Sequence, residues 1–107
     1  MRTLHYKFPA SREPVRRAHV GVVGSGDLEI LLEPSDSVIQ AEVRVRTSVQ
    51  GFDEIWQATL ERFFARTPLC GSWELNDAGA TPAVVTLRLQ QAAGAAAATG
   101  SATEEDS

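Results

Sequence analysis

The sequence predicts an α+β fold, a two-layer sandwich in which a mainly antiparallel sheet of about five to six strands is covered on one face by a single amphipathic helix. Three observations support this prediction. Several segments alternate polar and apolar residues, one segment repeats its large apolar side chains at helical spacing, and the turns between most successive strands are short. Short turns favour antiparallel pairing of consecutive strands. The 107 residues suffice for one modest hydrophobic core.

Six segments are expected to be strands because apolar side chains recur in them at every second position. The clearest is 38–49, where Val43 and Val45 alternate with arginines. This alternation is typical of a strand with one buried face and one solvated face. The six predicted strands are 3–8, 15–23, 28–33, 38–49, 72–76 and 83–90.

A change of period after Gly51 marks the predicted helix, at about 52–66. Its large apolar side chains fall three or four positions apart, which places them on one face. Asp53 and Glu54 stand in the expected first turn and Arg66 stands at the end, an arrangement that the helix dipole favours. We expect this helix to pack on the sheet.

The composition changes at the C-terminus. Residues 92–107 are rich in alanine and contain almost no large apolar side chain, so they cannot bury enough surface to offset the entropy lost on ordering. We therefore expect a folded domain at 1–91 and a disordered, low-complexity tail at 92–107.

Composition also argues against several classes of function. The net charge of −4 disfavours a nucleic-acid binder, and no apolar run approaches the length of a membrane span. The N-terminus lacks the continuous apolar stretch of a signal peptide, and Cys70 is the only cysteine, so we expect a cytoplasmic protein. His5 and His19 belong to no cluster with metal-ligand spacing, so no metal site is expected.

The loop Gly24-Ser25-Gly26-Asp27 lies between two apolar strand segments, a spacing that suits a tight hairpin. On residue types alone it is most simply a turn, because Gly, Ser and Asp are common turn residues. A functional interpretation is that Ser25 presents its hydroxyl to a separate enzyme, with a glycine on each side providing clearance. Asp27 would then orient a donor group or cap the turn. The loop matches neither a phosphate-binding loop nor a hydrolase nucleophile elbow.

The sequence around this loop closely resembles the malonate decarboxylase acyl-carrier (delta) subunit. The resemblance begins with Val-Gly-Val-Val-Gly-Ser-Gly-Asp-Leu-Glu-Ile-Leu-Leu-Glu-Pro at 20–34. It continues, in order and at matching length, through 45–49, 56–64, 77–85 and 87–89. It therefore covers nearly all of the expected folded domain, and the alanine-rich tail is the part that departs from it.

The resemblance implies that Ser25 carries a phosphoribosyl-dephospho-CoA prosthetic group through a phosphodiester bond, with Gly24, Gly26 and Asp27 as the supporting loop. The group would hold acetyl or malonyl as a thioester. It also implies a carrier without catalytic residues of its own, which works with acyl-transferase and decarboxylase subunits and is modified by a prosthetic-group transferase. No nucleic-acid or membrane partner is implied.

Three alternatives remain open at this point. The chain could be the carrier of a related lyase of the citrate lyase type, an unmodified scaffold or regulatory subunit, or a small oligomeric enzyme; the scarcity of histidine and cysteine disfavours the last. Two features have open roles. The basic residues Arg12, Arg16 and Arg17 are either solvated surface or contacts to phosphates or to a partner subunit. The loop 77–82 is either simply a shaped turn or a neighbour of Ser25 that helps the modifying enzyme recognise it.

Overall fold

The computed structural model describes residues 1–97, which form five strands and two helices. The predicted strands 3–8, 28–33, 38–49 and 72–76 and the predicted helix 52–66 are all confirmed, with bounds that differ by one or two residues at most ends. In chain order the elements are β1 (Arg2–Pro9), β2 (Ala18–Val20), β3 (Asp27–Glu33), β4 (Gln40–Thr47), α1 (Asp53–Arg66), β5 (Gly71–Ala78) and α2 (Pro82–Ala97).

The five strands form one mixed sheet in the order β1-β4-β5-β3-β2. Three of the four neighbouring pairs are antiparallel, so the predicted mainly antiparallel sheet is confirmed. The pair β4–β5 is parallel, which the prediction did not include. The reason is α1: a parallel neighbour needs a crossover long enough to return the chain to the starting end of the sheet, and α1 supplies it.

One face of the sheet carries the core. Alternate side chains of β3, β4 and β5 are almost completely buried, among them Ile30, Val45 and Leu75. Trp73 is also buried here, and the rings of Phe63 and Phe64 from α1 meet it edge-on at centroid distances of 5.7 and 5.1 Å. Both helices pack on this face, so the two-layer arrangement is confirmed.

The other face of the sheet is polar and uncovered within residues 1–97. Arg44 on β4 donates to Glu74 on β5 at 2.6 Å, and Arg46 approaches the same carboxylate at 4.0 Å. The hydrogen bond from Arg44 is the main reason why the pKa of Glu74 is lowered from its ordinary value. These cross-strand pairs account for the alternation of valine and arginine in β4, because both arginines pair with Glu74 on the solvated face of the sheet.

The prediction of a strand at 83–90 is wrong, because this segment lies inside α2. Val85, Leu87 and Leu89 alternate like strand residues, but Leu87 is 49% exposed whereas Val85 and Leu89 are buried. The buried positions of α2 have helical spacing: Val85, Leu89, Ala92, Ala93 and Ala96. The predicted single helix is therefore corrected to two.

The start of α2 carries a helix signal that the strand interpretation overlooked. The hydroxyl oxygen of Thr81 accepts the backbone N–H of Val84 at 3.3 Å, which caps the first turn. Pro82 occupies the first helical position, where its missing N–H costs nothing. A threonine followed by proline is a recognised start signal for a helix.

Two boundaries also change. Of the predicted strand 15–23 only Ala18–Val20 is a strand, and the chain leaves the sheet at Gly21. The folded part extends past residue 91, because Ala92, Ala93 and Ala96 are buried in the core. The rest of the expected tail, 98–107, lies outside the described residues. In the described part of the chain neither helix is long and apolar enough to cross a membrane.

Candidate functional site

Ser25 lies at the second position of a tight turn that leads into β3. The backbone N–H of Asp27 donates to the carbonyl of Gly24 at 2.9 Å, which closes the turn. Gly26 has a φ of +77°, whereas Ser25 has a negative φ. This sign pattern fits a type II turn, in which the third residue is usually glycine. The turn therefore favours glycine at position 26 and places Ser25 at its tip, exposed to solvent.

The space beside Ser25 is open. A Cβ atom added at Gly26 would meet no atom within 4 Å, and one added at Gly24 would meet only Val22, in ordinary contact at 3.4 Å. The neighbouring side chains of Val22 and Val23 are about 60% exposed and point away from the core. An approaching enzyme would thus find no bulky residue immediately next to the serine in the turn itself.

The turn is attached to the end of β5. The N–H of Gly26 donates to the carbonyl of Ala78 at 2.8 Å, and Asp27 forms a bridge with Gly79. Segment 77–82 therefore lies beside the Ser25 turn, the arrangement considered for it above. Asp77 shapes this segment: it is buried and accepts the N–H groups of Gly79 and Ala80 at 3.2 and 2.9 Å.

Asp27 anchors the turn to α2. Its two carboxylate oxygens accept Nε and one terminal nitrogen of Arg88, both at 2.9 Å, and one oxygen also accepts the N–H of Leu28 at 2.7 Å. The guanidinium of Arg88, followed by the Leu28 amide, lowers the pKa of Asp27 from its ordinary value. Asp27 is thus an ionised structural anchor between the turn and α2.

Gly21 lets the chain pass close to β3 just before the turn. Its φ is +74°, and an added Cβ would lie 1.9 Å from the carbonyl oxygen of Leu28 and 3.2 Å from Nε of Arg88. No side chain can fit at that position without moving the backbone. The sequence carried a signal for it, since a glycine inside a valine-rich strand pattern often marks a close backbone approach. Arg88 had no such signal, because its partner lies 61 positions away.

The three arginines considered as phosphate contacts lie elsewhere. Arg17 pairs with Glu33, at the far end of β3, with an N–O distance of 3.0 Å. Since β3 has seven residues, this end is about 20 Å from the Ser25 turn. Arg12 bridges to Leu69, the residue that shortly precedes β5, again at the end of β5 opposite to Ala78. The structure therefore does not bring these arginines together with Ser25.

The remaining candidates have structural surroundings. Cys70 is 1% exposed, which fits packing in the core. His19 is exposed and lies 2.8 Å from Glu29 across the β2–β3 hairpin. Within residues 1–97, no three His, Cys, Asp or Glu side chains gather as a metal site would require.

Comparisons with known proteins agree over nearly all of the described fold. A family model described as malonate decarboxylase delta subunit (MdcD) matches residues 15–96. The malonate decarboxylase acyl carrier protein of Pseudomonas fluorescens (strain SBW25) is 49% identical over 92 residues, which cover 85% of this chain and 92% of that protein. The protein of the same name from Stenotrophomonas maltophilia (strain R551-3) is 48% identical over 96 residues, covering 86% and 91%.

A solved structure is also similar. A chain in the crystal structure of a Pseudomonas malonate decarboxylase hetero-tetramer in complex with malonate superposes with a TM-score of 0.82 at 46% identity. The match covers 89% of this chain and 98% of that chain. The likeness therefore extends to the fold as a whole.

Proposed function

This chain belongs to the malonate decarboxylase acyl-carrier (delta subunit) family, and we propose that it carries a phosphoribosyl-dephospho-CoA group joined to Ser25 through a phosphodiester bond. The observation that carries the proposal is the exposed serine at the tip of a turn with open space beside it. A prosthetic-group transferase must enclose the hydroxyl and bring a phosphate to it. A buried or crowded serine would not permit this.

The residues at the turn fit such a group. The serine oxygen lies outside the core, and Asp27, the nearest acid in the sequence, is neutralised by Arg88 at 2.9 Å. A phosphodiester at Ser25 would therefore not face an unpaired carboxylate from that residue. Gly24, Gly26 and Asp27 support the attachment by holding the turn closed.

The proposed role is transport between active sites on other subunits. The group supplies a thiol, and a thioester of malonate is a better electron sink for decarboxylation than free malonate. The chain's own residues hold the attachment point at a fixed place on a rigid sheet, and the tether keeps the acyl group at high local concentration near each site. Catalysis would belong to the partner subunits.

The similar solved structure is a hetero-tetramer, which supports the proposal that this chain also assembles with other subunits. We propose acyl-transferase and decarboxylase subunits as these partners and the cytoplasm as their compartment. A citrate-lyase-type carrier and an unmodified scaffold are not favoured, because both curated relatives described above are named for malonate decarboxylase.

Intact-mass spectrometry tests the proposal. Protein produced in a host that makes and attaches the cofactor should gain the mass of one prosthetic group, and peptide mapping should locate it on Ser25. The Ser25→Ala variant should remain unmodified while its free energy of unfolding changes by less than about 0.5 kcal/mol, as expected for an exposed position. An unmodified wild-type protein in that host, or an adduct on another residue, would contradict the proposal.

A further inference from the structure

An apolar groove of about 250 Å³ opens between the first turns of α1 and the segment that joins β5 to α2. Phe52 and Ile55 line it and remain 45% and 43% exposed within residues 1–97, which is high for large apolar side chains. Other apolar residues of the lining are Val49, Trp56, Ala80, Pro82 and Val85. A concave apolar surface of this kind is typical of a ligand-binding groove.

The groove and the Ser25 turn share one end of the sheet. Gly79 lines the groove and also forms a bridge with Asp27, which is two residues after Ser25. The carbonyl of the preceding residue, Ala78, accepts the N–H of Gly26 at 2.8 Å. The wall of the groove and the turn are therefore parts of one hydrogen-bonded unit. A group tethered to Ser25 starts its path next to this wall.

The charges of the groove restrict what it can hold. Asp77 is the one charged residue of the lining found in the described part of the chain. Its oxygens already accept Thr47 Oγ1 at 2.8 Å and the two amides of its own loop. No lysine, arginine or histidine lines the groove within residues 1–97. An uncharged apolar group therefore fits, whereas a carboxylate would lose its hydration without gaining a cation.

We propose that this groove shelters the acetyl end of the arm tethered to Ser25 and leaves the malonyl end in solvent. The inference rests on the proposed function and adds a binding site for the acetylated form. A tether gives its free end an effective concentration in the millimolar range. A groove with a dissociation constant of about 1 mM would thus be occupied about half of the time.

Shelter of the acetyl group has a clear use. In the cycle that we propose, a partner subunit exchanges the acetyl group for malonyl and releases acetate, and decarboxylation of the malonyl thioester then takes up a proton, releases carbon dioxide and regenerates the acetyl thioester. Hydrolysis of the acetyl thioester between visits to the partner subunits would therefore stop the cycle. Occupancy of the groove reduces the exposure of the thioester carbonyl to water. The malonyl form needs no shelter of this kind, because the decarboxylase subunits consume it.

Amide NMR spectra of the full-length protein test the site directly. The comparison is between the free-thiol, acetyl and malonyl forms, with intact mass confirming in each sample that Ser25 is loaded. Acetylation should shift the resonances of Ile55, Ala80 and Val85, and the malonyl form should resemble the free thiol. Shifts confined to 22–27, or equal shifts for acetyl and malonyl, would overturn the inference.

A matched pair of variants gives a second readout. Ile55→Asp places a charge in the groove, whereas Leu87→Asp places the same charge on an equally exposed apolar position of α2 that does not line it. Ile55→Asp should shorten the lifetime of the acetyl thioester in dilute hydroxylamine about twofold, since the thioester is sheltered about half of the time in the wild type and is not sheltered in the variant. Leu87→Asp should have no effect.

The outcomes separate this inference from the proposed function. Equal lifetimes of the acetyl thioester in the wild type and both variants would mean that the groove does not hold the acetyl end. If the amide resonances of the groove shifted only when the partner subunits were added, the groove would instead bind a side chain of a partner. Either result overturns the inference while a loaded Ser25 leaves the carrier function intact. Failure to load Ser25 at all would overturn both.

Discussion

The close approach of Gly21 to β3 makes a quantitative prediction about stability. Gly21 and Gly26 have nearly the same φ, +74° and +77°, but an added Cβ meets the Leu28 carbonyl oxygen at 1.9 Å in the first case and open space in the second. Gly26→Ala therefore reports the cost of the left-handed backbone alone, about 1–2 kcal/mol. Gly21→Ala adds a collision that only a backbone shift of about 1 Å can relieve.

The collision should dominate. Contacts of a real Cβ closer than 3.0 Å are essentially never seen, and here the neighbour is backbone rather than a flexible side chain. We expect Gly21→Ala to lower the free energy of unfolding by about 3–5 kcal/mol, the upper range for single substitutions. A domain of this size has a total of only about 5–15 kcal/mol. The variant should therefore be marginally folded, whereas Gly26→Ala should fold well.

Thermal unfolding followed by circular dichroism measures the difference. A gap of about 2 kcal/mol or more between the two variants corresponds to at least roughly 8 °C in Tm for a domain of this size. Gly24→Ala serves as the neutral control, because its φ is not in the left-handed region. If Gly21→Ala and Gly26→Ala melted within about 2 °C of each other, steric exclusion at Gly21 would not be what fixes the path into the Ser25 turn.

Two further predictions concern α2. Leu89→Ala should lower the free energy of unfolding by about 2–5 kcal/mol because Leu89 is fully buried, whereas Leu87→Ala should lower it by less than about 0.5 kcal/mol. A strand at 83–90 would put both side chains on one face. Similar losses of stability for the two variants in denaturant titrations would therefore refute the helix. Asp27 has a lowered pKa, so its pairing with Arg88 stabilises the fold above the unfolded pKa of about 3.9 and loses that effect as the pH falls through the folded value. The Tm gap between wild type and Asp27→Asn should therefore be constant from about pH 7 to 5 and shrink below about pH 4, and a gap independent of pH would contradict the ion pair.

Most of the sheet could be predicted because its open face leaves a clean pattern. In β3, β4 and β5 every second side chain is buried against the helices and the others are half-buried or exposed, and in β1 half-buried side chains alternate with exposed ones. The period of two therefore survives in the sequence. The prediction of α1 succeeded for the same reason at helical period, since its buried face is built from large aromatic and aliphatic side chains. In these elements local pattern and tertiary environment agree.

The prediction of α2 failed because three of its five buried residues are alanine. Ala92, Ala93 and Ala96 pack against the sheet, but small side chains carry little hydrophobic signal, and they resemble a low-complexity tail. Of its four larger apolar residues, Val85, Leu87 and Leu89 alternate by coincidence, whereas Val84 falls outside the alternation. The signal that distinguishes a helix from a strand in this segment is Thr81-Pro82 at its start, not the spacing of its apolar residues.

The position of Ser25 could be predicted, but the device that holds it could not. The turn depends on local residue types, which the sequence displays. The anchor depends on Arg88 meeting Asp27 across 61 positions, and this contact exists only because α2 is a helix that runs back over β3. A strand at 83–90 would instead have placed Arg88 on one face of the sheet, and nothing in that arrangement predicts its contact with Asp27.

The parallel pair of β4 and β5 determines which elements lie at the same end of the sheet as Ser25. Because β4 and β5 are parallel, their carboxyl ends meet, and α1 and α2 both begin at that end. Because β3 is antiparallel to β5, the Ser25 turn that precedes β3 lies at the same end. An all-antiparallel sheet with the same strands would have reversed either β4 or β5 and separated the groove from the serine. The crossover through α1 therefore brings together the Ser25 turn, its anchor Arg88 and the apolar groove, three features that lie far apart in the chain.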